Sequence, residues 1–554
     1  MSMRTTKTQR DPRQVARDRL ARERGFTIKN WGGRIPVAIV YPNSYYIGMS
    51  NLAVQTVYSL FNAYPDIVCE RAFYDPPGPG EQHPASVISV ESQRQLGDFA
   101  VIGFTLSYEL DYFNMVQCLK SADVPLWASQ RDDRHPLIIA GGACMLTNPA
   151  GVAPFLDAAI IGEGEEVIPH LVAAWQDTLG GPRDEMLDRL ARIPGVYVPS
   201  RHRNGPIERQ WVQDIASTEA YSTVLTEDTE LSNMTLVECA RGCGRGCRFC
   251  IAGYVFRPPR YRPLEQLLGI VDHALEHSPK VGLLGAAVAD HPQLSELVIG
   301  ARDRGAQVSV SSLRVDNLRP DVLSALAAGG TRTVTVAPEA GSERMRLAIN
   351  KGVTEEQIIE GARQVGAAGL QRFKLYFMIG LPGEEHDDVY ALAALANRIK
   401  GELDAAKAGT RLVLSVSPLV PKPWTAYQYE AQMAPAEIKA RQAILKQHVM
   451  RGIEIRTDSP MTARVDDVLS RADGRLAGML AEMPDDSLAT YRRYMALHGL
   501  DGPRPWAGEV APWHIVDIGL TPTFLLREMD KHDRTRETIP CPPPEVGCKL
   551  CGVC

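Results

Sequence analysis

The stretch Cys243-Gly-Arg-Gly-Cys247-Arg-Phe-Cys250 is the most informative part of this chain of 554 residues. Its three cysteines are separated by three and then two residues in a loop that contains glycine, so all three thiols can turn toward one small metal cluster. Iron–sulfur cubes are usually held by four thiolates. Three thiolates therefore predict one iron left open to chemistry, by the logic that separates catalytic zinc sites from closed structural ones.

Cys239 is the rival for a fourth ligand, because it lies four residues before the first of these cysteines. It follows the apolar stretch Met234-Thr-Leu-Val237, which is typical of a buried strand. Free cysteine is often buried, so we interpret Cys239 as packing at a strand end. From the three cysteines alone, a zinc knuckle or a redox-inert cluster stays open as an alternative.

The sequence around these cysteines resembles a known family. The run from Arg241 to Gly253, followed by Arg257-Pro-Pro-Arg260-Tyr-Arg262, is similar to the radical S-adenosylmethionine (SAM) superfamily, in the branch with an N-terminal cobalamin-binding-like domain. The resemblance implies that the cluster is a 4Fe–4S cluster whose open iron chelates SAM. It also implies that one electron cleaves SAM to methionine and a 5′-deoxyadenosyl radical.

Bulk composition narrows the class of protein. The chain is 45% hydrophobic and 23% charged with a net charge of −6, which gives no electrostatic case for binding nucleic acid or an anionic membrane. Eleven cysteines, most of them in two tight clusters, are typical of metal binding in a reducing compartment. With no signal-peptide pattern and no run long enough to span a bilayer, we expect a soluble, cytoplasmic protein without membrane insertion.

The length predicts about three domains, and changes of pattern along the chain give their limits. We predict an α/β protein with a doubly wound, Rossmann-like first domain, a partial (β/α)6 barrel and a mostly helical C-terminal capping domain. The predicted segments are a basic arm or helix over 1–33, the cobalamin-binding-like domain over 34–200, a linker over 201–232, the radical SAM barrel over 233–429, the capping domain over 430–535 and a four-cysteine tail over 536–554.

Residues 34–200 alternate between strand-like and helix-like patterns. Continuous apolar strands separated by helices predict a parallel sheet, and ligands bind at the carboxyl ends of such strands. The predicted strands are Ile35–Tyr41, Phe99–Phe104, Pro136–Gly142 and Ala158–Gly162. The resemblance implies cobalamin over the following loops, near Tyr45, Tyr46, Ser107, Glu109, Gly142 and Asn148. No Asp-x-His-x-x-Gly motif supplies a histidine below the cobalt, so a domain that binds no cobalamin stays open.

Residues 233–429 contain six strand-like segments, which predict a barrel or part of one with reactive groups at the carboxyl ends of strands. The resemblance implies that residues in and after these strands contact the cluster and SAM. The expected contacts are Phe249, Gly285, Ala286, Ala287, Ser311, Arg314, Glu339, Ser342, Lys374, Tyr376 and Gly380. Taken singly, each has an ordinary explanation, such as a turn at Gly380 or an acid at a helix start for Glu339.

The end of the chain carries a second cysteine cluster. Cys541, Cys548, Cys551 and Cys554 form a C-x6-C-x2-C-x2-C pattern. Four soft thiolates can close a tetrahedral zinc site or an iron–sulfur cluster, and the spacing fits both. We therefore predict a second metal site here, with its metal left open.

Two classes of enzyme and one class of binding protein fit these patterns. The first is a radical SAM enzyme that uses cobalamin to methylate or otherwise modify an unactivated carbon, since such cofactors supply chemistry that side chains cannot. The second omits cobalamin and modifies RNA or protein, as the methylthiotransferase relatives do. The third is a zinc-stabilised scaffold without activity. A flavodoxin- or ferredoxin-type one-electron donor is the expected partner of either enzyme, and no residue pattern identifies the substrate.

Overall fold

The computed structural model describes residues 11–76, 86–203, 205–502, 510–542, 546 and 548–553. By contact, the chain divides into two compact units, the first built mainly of residues up to Trp211 and the second mainly of residues from Met234 onward. The prediction of an α/β fold with parallel sheets is confirmed. The finer division into linker, capping domain and tail stays a prediction.

Short strands and helices alternate through most of the described chain. The strands are β1 Ile35–Tyr41, β2 Ile67–Phe73, β3 Val101–Thr105, β4 Leu137–Gly141, β5 Ala158–Ile160, β6 Val196–Tyr197, β7 Ile207–Glu208, β8 Thr235–Glu238, β9 Ala240–Arg241, β10 Arg260–Tyr261, β11 Lys280–Leu284, β12 Gln307–Val310, β13 Thr333–Glu339, β14 Arg372–Ile379, β15 Arg411–Pro418, β16 Glu454–Thr457 and β17 Val516–Asp517. The helices are α1 Pro12–Leu20, α2 Tyr45–Gly48, α3 Leu52–Asn62, α4 Tyr112–Ser121, α5 Ala143–Thr147, α6 Gly164–Thr178, α7 Arg183–Leu190, α8 Leu264–Leu275, α9 Leu294–Asp303, α10 Pro320–Ala328, α11 Glu343–Ala348, α12 Glu355–Ala367, α13 His386–Ala405, α14 Pro435–His448, α15 Pro460–Arg471, α16 Arg475–Glu482, α17 Leu488–Leu497 and α18 Pro522–Asp533.

The first unit is built on one sheet in the order β2-β1-β3-β4-β5-β6. The first five strands in that order are parallel, and β6 is antiparallel to β5. Residues Val37 to Val40 of β1 are completely or almost completely buried, as expected for a strand covered on both faces. The strand order reverses between β1 and β3, which is the point where open α/β sheets bind ligands.

The strand β2 was not predicted from sequence, because charges interrupt its apolar run at Glu70 and Arg71. The Arg71 guanidinium is fully buried and pairs with Glu23 at 2.6 Å and with Glu91 at 2.7 Å. A buried charge without a partner is costly, so these carboxylates are what allow the arginine to lie inside the sheet.

The second unit carries two parallel sheets, β12-β11-β8 and β13-β14-β15-β16. A single parallel bridge between Leu313 and Val336 joins the segment after β12 to β13. Seven parallel strands therefore follow one another in chain order, with helices between them, as in an open barrel. Along β13, Val334, Val336 and Pro338 are buried while the alternate residues are half-buried, so one face packs beneath helices and the other forms a more polar concave face.

The seventh of these strands, β16, lies where the sequence predicts only helices. It is four residues long, Glu-Ile-Arg-Thr, and none of them is fully buried. A short polar strand at a sheet edge gives no apolar run for sequence reasoning to detect. The mostly helical character of the following region is nevertheless present in α14 to α18.

The N-terminal arginines before residue 11 lie outside the described residues. From Asp11 the chain leads into α1, whose Arg19 pairs with Asp75 at 2.7 Å. In the part of the chain that the structure describes, no helix is both long enough and apolar enough to cross a membrane.

Asp111 provides a test of the packing in the first unit. Burial raises the pKa of its carboxyl to about 6, an effect that the 2.7 Å hydrogen bond from Asn43 reduces and nearby Glu109 increases. A carboxyl whose pKa is higher in the folded state stabilises the fold at low pH and loses that contribution as the pH rises through about 6. As the pH rises from 4 to 8, the free energy of unfolding of Asp111→Asn should therefore increase relative to that of the wild type by roughly 2 to 3 kcal/mol.

Denaturant unfolding at several pH values measures this difference. Asp123→Asn is the matched control, because Asp123 is exposed just beyond the same helix α4. A difference between wild type and Asp111→Asn that does not change with pH would contradict the prediction.

Candidate active site

The three cysteines lie in a loop that follows β8 and β9 at the carboxyl end of the barrel strands. Cys247 is buried, and Cys243 and Cys250 are half-buried. Burial raises the pKa of the Cys250 thiol to about 12, and the charges of Cys247 and Cys243 add to the effect. Burial and Cys247 likewise raise the pKa of Cys243. The three sulfurs therefore lie close enough to feel one another's charge, and they fit a cluster that binds thiolates and releases their protons.

Backbone geometry and charge pairs hold this loop in place. Gly242 has a φ of +76°, and a Cβ there would lie 2.1 Å from the carbonyl oxygen of Phe256, so only glycine fits. The Arg245 side chain pairs with Asp290 at 2.8 Å. The buried Arg248 side chain donates hydrogen bonds to the Leu347 and Ala348 carbonyls.

Cys239 is near the three cysteines in sequence, but it is packed in the core. It is fully buried in the apolar core beneath the barrel, and its thiol donates to the Val237 carbonyl at 3.6 Å. Burial raises the pKa of this thiol to about 12. The structure thus packs Cys239 at the strand end, as the sequence predicts.

A cluster of opposite charges lies beside the cysteine loop. Lys351 Nζ donates to Glu339 Oε1 at 3.2 Å, and Arg314 donates to the Lys351 carbonyl at 3.3 Å. Burial raises the pKa of Glu339, and Lys351 and Arg314 oppose that rise. Burial acts against the Lys351 ammonium, but Glu339 and Cys247 outweigh it and the pKa of Lys351 is raised. Arg314 also pairs with Asp316 at 2.9 Å, and Asp290 lies 3.9 Å from it, so charges of both signs line this place beside the thiols.

Two family models match the two units. The model described as "Radical SAM proteins, N-terminal" matches residues 53–199, and the model described as "Radical SAM superfamily" matches residues 237–396. Together they span more than half of the chain, and the second includes all three cysteines of the loop. The chain belongs to the radical SAM superfamily. It is therefore a radical SAM enzyme, which uses a 4Fe–4S cluster and SAM. Such enzymes generally need an external electron donor.

The individual relatives give less information about function than the family models do. An uncharacterized protein of Methanocaldococcus jannaschii is 29% identical over 80% of this chain and 90% of its own length. An uncharacterized methyltransferase of Pyrococcus horikoshii is 24% identical over 44% of this chain and 54% of its own length. The structure of the radical SAM methyltransferase TsrM from Kitasatospora setae, with cobalamin and a 4Fe–4S cluster bound, is 14% identical over 84% of this chain and 100% of that one, with a TM-score of 0.48. At that score the likeness identifies neither the cofactor nor the substrate of this radical SAM protein.

Most of the residues predicted to contact SAM lie at the carboxyl ends of the barrel strands. Gly285, Ala286 and Ala287 follow β11, Ser311 and Arg314 follow β12, and Glu339 ends β13. Lys374 and Tyr376 lie on the concave face of β14, where Lys374 Nζ donates to the Tyr376 hydroxyl at 2.9 Å. The structure therefore brings these residues to one edge and one face of the barrel.

Three other predicted contacts serve the fold. Ser342 caps helix α11 by accepting from the Met345 amide at 3.1 Å, and its hydroxyl donates to Asp388 at 2.5 Å. The Gly380 amide donates to Glu384 at 2.7 Å within the turn after β14. Phe249 packs against a small apolar cluster that includes Ile349 and Tyr427. Their part in SAM binding stays a prediction.

Sequence reasoning missed Lys351, Arg245 and Asp290. Lys351 and Asp290 belong to no motif that the sequence analysis recognised, and Arg245 lies inside the Cys243–Cys250 stretch but received no role of its own. The only local signal is at the end of α11, where Asn350 has a φ of +55° and Gly352 a φ of +61°, so the chain turns sharply at Lys351.

The residues predicted near cobalamin divide into exposed and buried groups. Tyr46 is 51% exposed, whereas Tyr45 is buried with its hydroxyl donating to Glu23 at 2.5 Å. Glu109 and Asn148 are buried as well. The others are partly exposed: Ser107 accepts from Asn51 at 3.2 Å, and Gly142 has a φ of +103°. Tyr45, Glu109 and Asn148 thus offer a ligand little surface.

The tail cysteines lie in the same unit as the catalytic loop. Cys541 and Cys548 are half-buried and Cys551 is buried, while Cys554 lies outside the described residues. The Cys541 amide donates to the Gly244 carbonyl at 2.7 Å, so the tail contacts the residue that follows Cys243.

Glu339 gives a test of the charge cluster. Glu339→Gln removes the negative charge but keeps the side-chain length, so we expect SAM to bind about tenfold more weakly, which corresponds to about 1.4 kcal/mol. Equilibrium dialysis of the cluster-loaded protein with SAM measures the effect. Glu343→Gln, an exposed acid in the first turn of α11, is the matched control and should bind SAM as the wild type does. Equal affinity in the two variants would remove Glu339 from the SAM site.

Proposed function

We propose that this radical SAM protein methylates, or otherwise modifies, an unactivated carbon with cobalamin held by its N-terminal unit. When bound, the cluster, SAM and cobalamin supply the reducing electron, the 5′-deoxyadenosyl radical and the methyl group. The protein's own part is to bind these groups, orient them and exclude water. The observation that carries the proposal is that three thiols and a cluster of opposite charges lie at one end of an open barrel.

In the second unit, Cys243, Cys247 and Cys250 would hold the cluster and leave one iron for the ligand. SAM carries a carboxylate, an ammonium and sugar hydroxyls. The Arg314 guanidinium and the Lys351 ammonium suit the carboxylate, and the Glu339 carboxylate suits the ammonium or the hydroxyls. Backbone groups of 285–287 at the next strand end complete the expected contacts.

In the first unit, the strand order supports binding of a large flat ligand. The loops after β1 and β3 flank the reversal of strand order, and they expose Tyr46 by 51%, Ile47 by 46% and Tyr108 by 44%. Exposed apolar side chains at such a crevice are typical of ligand sites. At Gly142 a Cβ would lie 2.6 Å from the Leu106 carbonyl, so this strand end keeps its backbone bare. These features fit a corrin ring without requiring a histidine ligand from the protein.

The relative from Pyrococcus horikoshii that is named an uncharacterized methyltransferase supports methyl transfer as the reaction. We also propose a cytoplasmic location, because clusters of free thiols survive in a reducing compartment. A flavodoxin or ferredoxin is the proposed electron donor.

Anaerobic reconstitution with iron, sulfide and hydroxocobalamin tests the cofactor set by visible spectroscopy. The proposal expects a cluster absorption together with a bound corrin after gel filtration. A cluster without bound corrin would instead support a radical SAM enzyme that does not use cobalamin. A colourless zinc protein would contradict both enzyme hypotheses.

The reaction class has a test of its own. Cobalamin-dependent methylation consumes SAM in two ways, so incubation with a strong reductant and methyl-labelled SAM should yield both 5′-deoxyadenosine and S-adenosylhomocysteine. Formation of 5′-deoxyadenosine alone, with the label left in methionine, would contradict methyl transfer while leaving radical SAM chemistry intact.

The cysteine assignment predicts a large loss of activity. Changing Cys243, Cys247 and Cys250 together to alanine should lower 5′-deoxyadenosine formation at least about 100-fold, because the cluster has no remaining ligands. Cys239→Ala is the matched control: the cysteine is buried nearby, and we expect its loss to leave iron content and SAM cleavage close to the wild-type values. Persistence of 5′-deoxyadenosine in the triple variant would defeat the assignment.

A further inference from the structure

The cysteine-rich tail runs alongside the catalytic loop. The Arg248 guanidinium donates to the Arg536 carbonyl at 2.7 Å, and the Cys541 amide donates to the Gly244 carbonyl at 2.7 Å. Between these points, Asn350 donates to the Gly246 carbonyl at 3.0 Å and accepts from the Thr538 amide at 2.8 Å. The tail thus contacts the loop directly at Gly244 and Arg248, and between these points Asn350 bridges Thr538 of the tail to Gly246 of the loop.

Two tail cysteines that are ten residues apart converge on one arginine. The Arg257 guanidinium hydrogen-bonds the Cys551 thiol and interacts electrostatically with Cys541. The same guanidinium donates at 3.4 Å to the Arg245 carbonyl in the loop, and to the carbonyl of Gly253 just after the loop. A cation directed at sulfur is a common outer contact of metal-bound thiolates, since it orients the ligand and balances its charge. Arg257 therefore joins the loop to the tail cysteines.

Cys551 is also held by a contact with the chain just before helix α18. It is 3% exposed, and its carbonyl accepts from the Thr521 amide at 2.9 Å immediately before helix α18. Helix α18 carries Glu528, which lies 3.3 Å from Arg248 and accepts from Thr538 at 2.8 Å. Cys541, Cys551, the tail segment and the loop are thus joined to one another through a small set of polar contacts.

We propose that Cys541, Cys548 and Cys551 bind a second metal centre that fastens the tail along the 243–250 loop and so positions the loop. Soft thiolate ligands select zinc or an iron–sulfur cluster. The tail residues act as positioning residues, through the hydrogen bonds to Gly244 and Arg248 and through the Asn350 bridge to Gly246, and need no contact with substrate. The inference rests on the proposed function only in taking the 243–250 loop as the cluster site.

The test uses the full-length, anaerobically reconstituted protein and the variant Cys548→Ser/Cys551→Ser. Metal and sulfide analysis should find, in the wild type only, either zinc or about four further irons with sulfide beyond the first cluster. Hydrogen exchange at the Cys541 amide and across residues 242–257 should be at least tenfold faster in the variant. SAM cleavage should fall about tenfold while the iron at the first three cysteines is retained.

Two further variants separate positioning from simple unfolding. Cys548→His can still ligate a metal, so it should restore both the second metal and the slow exchange of the loop. Cys239→Ala removes a buried thiol from the same unit and should change neither. Zinc without extra sulfide identifies a closed structural site, and extra iron with sulfide identifies a second cluster; each supports the proposal.

The opposing results are equally specific. Wild-type protein with no metal beyond the first cluster would overturn the proposal, as would a double variant that keeps its second metal. Loss of the second metal with unchanged exchange across residues 242–257 would overturn the positioning role. Because metal content and exchange do not depend on turnover, a failure of the proposed methylation would leave these readings intact.

Discussion

Parallel strands deliver their carboxyl ends to one edge of a sheet, and this constraint assembles the candidate active site of this radical SAM protein. Cys243 follows β8 and β9, Gly285 follows β11, Arg314 follows β12 and Glu339 ends β13. These residues are spread over about a hundred positions of sequence, yet the direction of the strands brings them to the same rim. The same constraint operates in the first unit, where the loops after β1 and β3 meet at the reversal of strand order.

Buried charges in both units are matched by partners rather than left alone. Arg71 pairs with Glu23 and Glu91 inside the first sheet, and Lys351 pairs with Glu339 beside the cysteine loop. Replacing a buried ion pair by apolar residues often costs no stability, so such pairs are better understood as setting a unique arrangement. At the carboxyl end of the barrel strands, the charged groups of a zwitterionic ligand could take the place of one partner in such a pair.

The sequence was sufficient where a pattern is local. Continuous apolar runs located most parallel strands, and the spacing of Cys243, Cys247 and Cys250 located the cluster loop. It failed where partners supply what the pattern lacks, as in β2, whose buried Arg71 depends on Glu23 from far along the chain. It also failed at β16, whose four polar residues extend an existing sheet edge. The approach of Cys541 to Gly244 could not be foreseen, because no local pattern encodes a contact between segments almost 300 positions apart.

The bridge between Leu313 and Val336 has a mechanical consequence for the open barrel. It is the one described pairing between the three-stranded and four-stranded sheets, so backbone hydrogen bonding between strands is sparsest there, and the shared apolar core holds the two sheets together. Arg314 belongs to one side of this seam and Glu339 to the other. A nucleoside that contacts both residues would link the two sheets, so binding of the ligand would also make the barrel more rigid.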